Sequence, residues 1–238
     1  MRRSPMQTTT ARTASAQGPR EINADAVASS SGAYALADGV GDDPRAARAA
    51  RIAAAAAVRV GGGAVEAVLA AQAEVLAEAA GNCVLVVAVP EGDGYDIAWV
   101  GDVRAWAWTA TGLRRLTTDH TVAQHFRDRG IPTTPRMEHI VTTSVRTARR
   151  EQVGTARVAG PSLLVLTSDG VHKPLDEPVM TRLLRYSTAP AAALVEAATA
   201  AGSTDNATAL VVECGDRRTM TLPAEAPDIA TAALPVLA

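Results

Sequence analysis

The sequence has little lysine and few aromatic residues. Lys173 is the only lysine among 23 basic residues, and the 238 residues include three Trp, three Tyr and one Phe. A phosphate-binding loop that ends in Gly-Lys-Ser or Gly-Lys-Thr is therefore absent, and any Schiff-base chemistry would depend on Lys173. Trp106 and Trp108 share one face of a predicted strand, which is typical of packing. The scarcity of aromatic residues near basic ones argues against binding of single-stranded nucleic acid.

A strong excess of charge and a long apolar segment are also missing. The 25 acidic and 23 basic residues leave a net charge of −2 at pH 7, which gives no electrostatic support for binding nucleic acid or an anionic membrane. The alanine-rich stretch 46–60 contains three arginines, so it does not predict a membrane-spanning helix. The first residues lack the apolar core of a signal peptide. We therefore expect a soluble, cytoplasmic protein without nucleic-acid or membrane partners.

Cysteine is scarce as well. Cys83 and Cys214 are the only two, and both lie within apolar stretches. Because no secretory signal is visible, this pattern predicts buried, reduced thiols rather than a disulfide.

The hydrophobic pattern alternates between groups of strands and groups of helices, which predicts an α+β fold with layered elements rather than alternating βαβ units. No internal repeat and no change of composition marks a linker, so we predict a single domain over 7–222. A loose segment, 1–6, precedes it, and an Ala/Pro-rich tail, 223–238, follows it. Strands are predicted at 7–11, 25–29, 34–37, 84–89, 95–100, 104–108, 113–116, 139–142, 163–166 and 207–212. Helices are predicted at 44–60, 64–80, 119–129, 177–186 and 191–201.

Five aspartates lie where apolar strands begin or end: Asp25, Asp38, Asp102, Asp169 and Asp205. One such residue beside a glycine is typical of a turn. Several at one edge of a sheet would repel one another unless a cation lay between them, and hard divalent cations prefer oxygen ligands. Since no cluster of His or Cys accompanies them, Mg²⁺ or Mn²⁺ is favoured over Zn²⁺. The residues alone predict an acidic metal site and no particular reaction.

Six short motifs make the chain recognisable. The motifs are Arg20–Ala26, Ala35–Gly41, Val100–Ala105, Leu116–Thr121, Leu166–Val171 and Thr204–Thr208. None is specific alone, whereas their order and spacing are. In that order they resemble the metal-dependent serine/threonine protein phosphatases of the type 2C (PPM) family, over about residues 7–214.

The resemblance implies a fold and a set of metal ligands. The fold is a four-layer α-β-β-α sandwich of two antiparallel sheets flanked by helices. Asp38 would bridge two ions of Mn²⁺ or Mg²⁺, and the Gly39 carbonyl would bind one of them. Asp169 and Asp205 would complete the other ion's ligands, and Asp102 with Asp169 can hold a third, looser ion. Asp25, at the start of its strand, is predicted as a further metal ligand, and Asn206 would orient Asp205.

The resemblance also implies the reaction. Arg20 stands where the family has the arginine that binds the substrate phosphate, and its planar guanidinium suits two phosphoryl oxygens. The metals would lower the pKa of a bridging water, whose hydroxide attacks phosphorus in line without a covalent intermediate. The implied substrate is phosphoserine or phosphothreonine in a protein, such as the target of a Ser/Thr kinase, and we expect a monomer.

Three positions and one segment depart from the family pattern. Ala24 stands where the family commonly has Glu, which removes a direct or water-mediated metal contact. Val40 replaces a histidine proposed as general acid in some members, so water would protonate the leaving group. Asp42 replaces a glycine and would cap the following helix or hold an outer-sphere water. The segment 130–146, which resembles the family's flap, is short, which would change substrate choice more than chemistry.

Two further functional hypotheses stay open. A pseudophosphatase, acting as a binding or regulatory module with a weakened metal site, is suggested by Ala24, while the retained Asp38, Asp169 and Asp205 argue against it. A phosphatase of an anti-sigma antagonist would use the same chemistry in a stress response, and would predict a fused sensor or partner-binding domain. Arg104, next to Asp102, is expected to be a structural partner for the acids.

Overall fold

Within residues 9–214, which a computed structural model describes, ten strands form two five-stranded antiparallel sheets. The first sheet has the order β1-β10-β9-β6-β7, and the second has the order β2-β3-β4-β5-β8. The strands are β1 (Thr10–Ala16), β2 (Asp25–Ser30), β3 (Ala33–Gly39), β4 (Cys83–Glu91), β5 (Gly94–Val100), β6 (Arg104–Thr109), β7 (Gly112–Arg115), β8 (Gly154–Ala159), β9 (Leu163–Thr167) and β10 (Ala207–Glu213).

The two sheets pack face to face around a core of alternating side chains. Leu36 and Ile97 of the second sheet join Leu164 and Leu210 of the first in one buried cluster. Because side chains alternate between the faces of a strand, Ala35, next to Leu36, points to the opposite face and contributes to the core under the helices. Both faces of the central strands are therefore covered, which explains their continuous apolar sequences.

Helices cover the outer face of each sheet. The alanine-rich α1 and α2 pack on the second sheet, where small side chains allow close approach, and α4–α6 pack on the first around Trp106 and Met180. The predicted four-layer sandwich is thus confirmed. The helices are α1 (Pro44–Ala57), α2 (Ala64–Ala77), α3 (Val122–Arg127), α4 (Asp169–His172), α5 (Glu177–Tyr186) and α6 (Pro190–Ala200), with short 3₁₀ helices at Pro135–His139 and Arg150–Gln152.

Most predicted elements lie where the pattern indicates, with differences at the edges. The predicted strand 139–142 was wrong, because a 3₁₀ helix ends at His139 and only Val141 forms a bridge, to Thr121. The helix predicted at 119–129 is shorter, since Thr121 is its N-cap. The sequence pattern missed β8, an edge strand in which three of six residues are exposed and only Val158 is buried, so its apolar signal is weak.

The predicted domain boundaries near the two ends of the chain are not tested by the structure. Residues 1–8 and 215–238 lie outside the described part, so the predicted loose segment 1–6, the tail 223–238 and the outer boundaries of the 7–222 domain remain predictions. The first strand, predicted at 7–11, occupies Thr10–Ala16 and pairs with β10 at the edge of its sheet.

The described residues settle the state of the two cysteines. Cys83 and Cys214 are both buried, free thiols, as predicted. In the described part of the chain, no helix is both long and apolar enough to cross a bilayer.

Candidate metal and phosphate site

The five aspartates meet at one end of the two sheets. Asp25 begins β2 and pairs directly with Asp38 near the end of β3. Asp102 follows β5, Asp169 follows β9 as the first residue of α4, and Asp205 precedes β10. Antiparallel pairing brings the strand ends of each sheet to one end, and the packing of the two sheets places both sets of aspartates together.

A cleft of about 170 Å³ opens between these strand ends. The groups around it are mainly polar, and the backbone of β3 forms part of its wall. Its lining includes Arg20, Asp38, Asp102, His139, Asp169 and Asp205.

Asp25 and Asp38 are crowded by other carboxylates. Removal from water raises the pKa of Asp25 to about 7, with repulsion by Asp169 and Asp205 adding to the effect and the nearby Thr208 and Ser168 hydroxyls opposing it. Removal from water, and then repulsion by Asp25 and the other three acids, raises the pKa of Asp38 well above its ordinary value. Such crowding destabilises the ionised forms, and a cation between the carboxylates would relieve it.

Asp102 and Asp169 share one cation of the chain itself. Lys173 Nζ lies 3.0 Å from Asp102 Oδ2 and 2.6 Å from Asp169 Oδ2. It also lies 3.3 Å from Nδ1 of His139. Burial, the largest effect, raises the pKa of Asp102, and the Lys173 charge opposes that rise. Burial alone would lower the pKa of Lys173, but the two carboxylates outweigh it and raise that pKa overall.

Asp205 is paired with the predicted phosphate ligand. Arg20 Nη2 donates to Asp205 Oδ2 over 2.6 Å, and Arg20 Nε donates to the carbonyl of Thr204 over 3.2 Å. Burial and repulsion by Asp169 raise the pKa of Asp205, while the hydrogen bond that its carboxylate accepts from the Asn206 backbone N–H and the charge of Arg20 oppose the rise. Arg20 therefore sits at the acidic cleft, and two of the five N–H groups of its guanidinium are engaged in these contacts.

Asn206 anchors the segment that carries Arg20. Its side-chain Oδ1 accepts from the backbone N–H of Ala24 over 2.8 Å, and Nδ2 donates to the carbonyls of Gln17 and Ile22 over 2.8 and 2.9 Å. The Asn206 contact with Asp205 is made by its backbone N–H, 2.8 Å from Oδ1. The orienting role expected of Asn206 is thus divided between a backbone donor and a side chain directed at the neighbouring loop.

Asp42 holds the same segment from the other side. Its carboxylate oxygens accept from the backbone N–H groups of Glu21 and Ile22 over 3.2 and 3.3 Å. The N-cap of α1 is Asp43, whose side chain accepts from Arg45 and Ala46. The expectation that Asp42 would cap the helix is therefore wrong, because its neighbour has that role.

Gly39 lies where the backbone has no room for a side chain. A Cβ there would come within 2.8 Å of the Ala46 backbone and 2.9 Å of the Ala24 side chain. Ala24, 2% exposed, accepts a hydrogen bond from the Gly39 N–H over 3.1 Å. An alanine at position 24 thus fits the packing around Gly39, and its methyl group offers no metal ligand.

Arg104 pairs with an acid outside the predicted metal site, whereas Val40 lies at the cleft as expected. Arg104 forms a two-pronged ion pair with Asp119, at 3.0 and 2.6 Å, which Arg115 also joins. Its partner is therefore Asp119, which holds the segment after β7, rather than the adjacent Asp102. Val40 is 46% exposed at the cleft and carries no proton donor, as its residue type dictates.

Lys173, which contacts two aspartates of the cleft, and His139, which lines it, are not among the predicted site residues. Lys173 stands four residues after Asp169, a spacing that brings charged side chains together on a helix. This spacing is the feature of the sequence that could have indicated Lys173 as a site residue. His139 reaches the cleft from the segment 130–146, where no spacing within the sequence indicates it.

The donors around the cleft match the chemistry of Mg²⁺ or Mn²⁺. The aspartate carboxylates and the Gly39 carbonyl offer hard oxygens. Among the described residues, Asp25 Oδ1 and Asp169 Oδ1 are shielded from water and accept no hydrogen bond, as expected of atoms that could turn to an ion. No group of three or more His, Cys, Asp or Glu in residues 9–214 is already arranged to hold a metal ion. Asp102, Asp169 and Asp205 are instead paired with Lys173 and Arg20.

Comparison with known proteins gives matches among solved structures alone. Neither a protein-family model nor a curated protein matches the chain. The serine/threonine phosphatase PstP/Ppp of Mycobacterium tuberculosis superposes with a TM-score of 0.75 at 22% identity, covering 87% of this chain and 99% of that one. A PstP catalytic domain solved with two manganese ions gives a TM-score of 0.74 at 24% identity, with coverage of 87% and 99%.

Two further solved structures agree. The PPM Ser-Thr phosphatase MsPP of Mycobacterium smegmatis, in complex with cacodylate, gives a TM-score of 0.73 at 27% identity, covering 87% of this chain and 98% of that one. PppA, described as a key regulatory component of T6SS in Pseudomonas aeruginosa, gives 0.76 at 22% identity, covering 86% and 97%. The resemblance to the type 2C phosphatases indicated by the ordered motifs is thereby confirmed in the fold, over nearly the whole chain.

Proposed function

We propose that this protein is a metal-dependent phosphatase that hydrolyses phosphoserine or phosphothreonine in proteins. One observation carries the proposal: five aspartates converge at one edge of a type 2C sandwich, and Arg20 lies beside them at the same cleft. The carboxylates match a divalent cation and the guanidinium matches a phosphate dianion, so the cleft suits a metal-bound phosphate ester.

The ligands for two ions of Mn²⁺ or Mg²⁺ would be Asp38, the Gly39 carbonyl, Asp169 and Asp205, with Asp25 behind them. When bound, such ions supply Lewis acidity, which activates water and offsets charge on the phosphoryl oxygens. Without them, burial and then repulsion among the acids raise the pKa of Asp38. We therefore expect metal binding to displace protons from the cleft.

The protein's own contribution is binding and orientation. Arg20 would donate two parallel hydrogen bonds to the phosphoryl group, with its segment held by Asn206 and Asp42. Substrate phosphate would compete with Asp205 for the guanidinium, which exchanges one charge-assisted contact for another. Val40 has no transferable proton, so the leaving serine or threonine oxygen takes its proton from water.

The biological context follows from this chemistry as a set of proposals. The substrate is a phosphoprotein, such as the target of a Ser/Thr kinase or the phosphorylated antagonist of an anti-sigma factor, in the cytoplasm. The chain would act as a monomer, and the short segment 130–146 with His139 at the cleft would influence which phosphoprotein fits.

A second candidate is a regulatory module that binds phosphoproteins without hydrolysing them. Ala24 supplies no ligand, and the single charge of Lys173 is already shared by two of the carboxylates, over 3.0 and 2.6 Å. A weakened metal site would leave Arg20 able to hold a phosphate. The two candidates differ in whether a phosphate ester is consumed.

The test is phosphate release from p-nitrophenyl phosphate and from phosphoserine and phosphothreonine peptides, with Mn²⁺ and with EDTA. We expect release that requires Mn²⁺ and is reduced at least 100-fold in Asp38→Asn and Asp169→Asn. Glu91→Gln, which removes one negative charge at the far end of β4, serves as the matched control. Phosphopeptide binding without release, or equal release by wild type and Asp38→Asn, would contradict the proposal.

A further inference from the structure

The geometry around Lys173 places an ammonium group between two acids of the cleft. Nζ lies 3.0 Å from Asp102 Oδ2 and 2.6 Å from Asp169 Oδ2. The side chain is 20% exposed, whereas the Asp102 and Asp169 side chains are 5% and 12% exposed. Water therefore screens these pairs only weakly, and the contacts are strong charge-assisted hydrogen bonds.

Local structure directs this side chain into the cleft. Asp169 begins the short helix α4 and Lys173 follows its last residue, so the two lie one turn apart on one side. The Lys173 backbone N–H donates to the Asp169 carbonyl over 2.9 Å, which fixes the turn. His139 Nδ1, 3.3 Å from Nζ, faces the ammonium from the 3₁₀ helix Pro135–His139 and can only accept, since ammonium has no lone pair.

The choice of residue is informative, because arginine supplies every other basic side chain in the sequence. An ammonium is a compact point charge with three donors, whereas a guanidinium is a broad planar group. A site between two carboxylates and an imidazole, each from a different direction, suits the compact cation. It resembles a small metal ion in size and sign more closely than arginine would.

We propose that Lys173 is a built-in cation that takes the position between Asp102 and Asp169 where a third divalent ion would otherwise bind. This inference rests on the proposed function, since it assumes that the remaining acids hold two ions. The chain would then contain a two-ion site with a permanent positive charge at its side. Lys173 is thus a positioning residue, which fixes the number of ions and holds Asp102 and Asp169 in place.

Metal counting tests this proposal directly. The number of Mn²⁺ ions bound per chain is measured by titration calorimetry, and by the electron paramagnetic resonance signal of free Mn²⁺ up to millimolar concentration. We expect two ions in wild type and in Lys173→Arg, which keeps the charge. We expect three in Lys173→Met, which keeps the length of the side chain but frees both carboxylates, and three in Lys173→Gln as a second neutral variant.

A double variant locates the additional ion. Lys173→Met combined with Asp102→Asn should return the count to two, because the third ion loses one of its ligands. In EDTA, Lys173→Met should melt several degrees below wild type and recover on addition of Mn²⁺, since an ion replaces the missing charge. Three ions in wild type, or the same count in wild type and both neutral variants, would overturn the proposal.

The counts separate this inference from the phosphatase proposal. Two ions in wild type and three in Lys173→Met, with no ester hydrolysed by either, would support the role of Lys173 and refute the phosphatase. Mn²⁺-dependent hydrolysis by a wild type that binds three ions would do the reverse.

Discussion

Asp25 and Asp38 occupy directly opposed positions of β2 and β3, so two carboxylates face each other across the first hairpin of the chain. Opposed residues in an antiparallel pair project from the same face of the sheet, where like charges are destabilising. Ser168 Oγ donates to Asp25 Oδ2 over 2.8 Å, which offsets part of this repulsion. The pair is therefore a place where the fold gives up stability for an acidic cleft, and pH should reveal it.

We expect the metal-free protein to lose stability at Asp25 as pH rises. The pKa of Asp25 is raised from 3.8 to about 7, so in this window the native state keeps a proton that the unfolded chain has lost. The free energy of unfolding then falls with pH, by up to about 1.4 kcal/mol per pH unit for one proton. The loss of stability is absent below the pKa of the unfolded chain, 3.8, and complete above the pKa of the native state, about 7. Urea denaturation in EDTA between pH 4.5 and pH 7.5 measures it.

Asp25→Asn provides the comparison, because an amide cannot ionise yet can still accept from Ser168. Its stability relative to wild type should increase across the same pH window. Burial lowers the pKa of His172 in both proteins, so its contribution cancels when the unfolding free energy of wild type is subtracted from that of Asp25→Asn. Glu91→Gln should follow the wild-type curve, and parallel curves for wild type and Asp25→Asn would contradict the prediction.

The sequence predicted the strands and helices that have a local apolar pattern or a capping residue. The continuous apolar stretches at 84–89 and 163–166 became β4 and β9, since strands covered on both faces need no polar alternation. The helix start predicted at 44 agrees with α1, in which Asp43 is the N-cap and Pro44 supplies the fixed φ of a first helical residue. The strand β8 escaped detection because its position is fixed by pairing with β5 and by no apolar pattern of its own.

The same distinction holds within the candidate site. The placement of Asp38 and Asp169 at strand ends was visible in the sequence, because each aspartate follows an apolar stretch, although their strands belong to different sheets. The anchoring of the Arg20 segment by Asn206 was not visible, since it joins residues more than 180 positions apart. Contacts of that kind depend on how the sheets pack, which no local pattern encodes.

Arg20→Ala should impair substrate binding more than metal binding. Hydrogen bonds to a charged group contribute about 1.5–3 kcal/mol, which corresponds to a decrease of about 10- to 100-fold in kcat/KM for a phosphopeptide. The kcat/KM of Arg20→Lys should lie between those of wild type and Arg20→Ala, because lysine keeps the charge but loses the planar pair of donors. Steady-state kinetics and Mn²⁺ titration measure the two effects.

Arg12→Ala is the matched control for Arg20, because it removes a guanidinium that pairs with Glu213 at 3.7 Å on the edge strand β1, whereas Arg20 pairs with Asp205 in the cleft. Its kinetics should equal those of wild type. A decrease in kcat/KM as large as that of Arg20→Ala would show that the loss reflects general damage rather than a phosphate contact.

Asn206→Ala should loosen the segment that carries Arg20. The side chain is buried, with the residue 5% exposed, and it satisfies three backbone groups, those of Gln17, Ile22 and Ala24. With about 1 kcal/mol for each lost hydrogen bond, the free energy of unfolding should fall by about 2–3 kcal/mol. Amide hydrogen exchange should accelerate over 17–24 and leave β4 unchanged. Uniform exchange across both regions would argue against a local anchoring role.

Gly39→Ala should displace the Gly39 carbonyl, which we propose as a metal ligand, and should lower both the melting temperature and the Mn²⁺ affinity. The added Cβ would lie 2.8 Å from the Ala46 backbone and 2.9 Å from the Ala24 side chain, so α1 or β3 must shift. Overpacking of this kind destabilises proteins by about 1–3 kcal/mol. Gly61→Ala is the control, because a Cβ there meets nothing within 4 Å. If Gly39→Ala matches Gly61→Ala in both melting temperature and Mn²⁺ affinity, close packing around Gly39 does not set the position of its carbonyl.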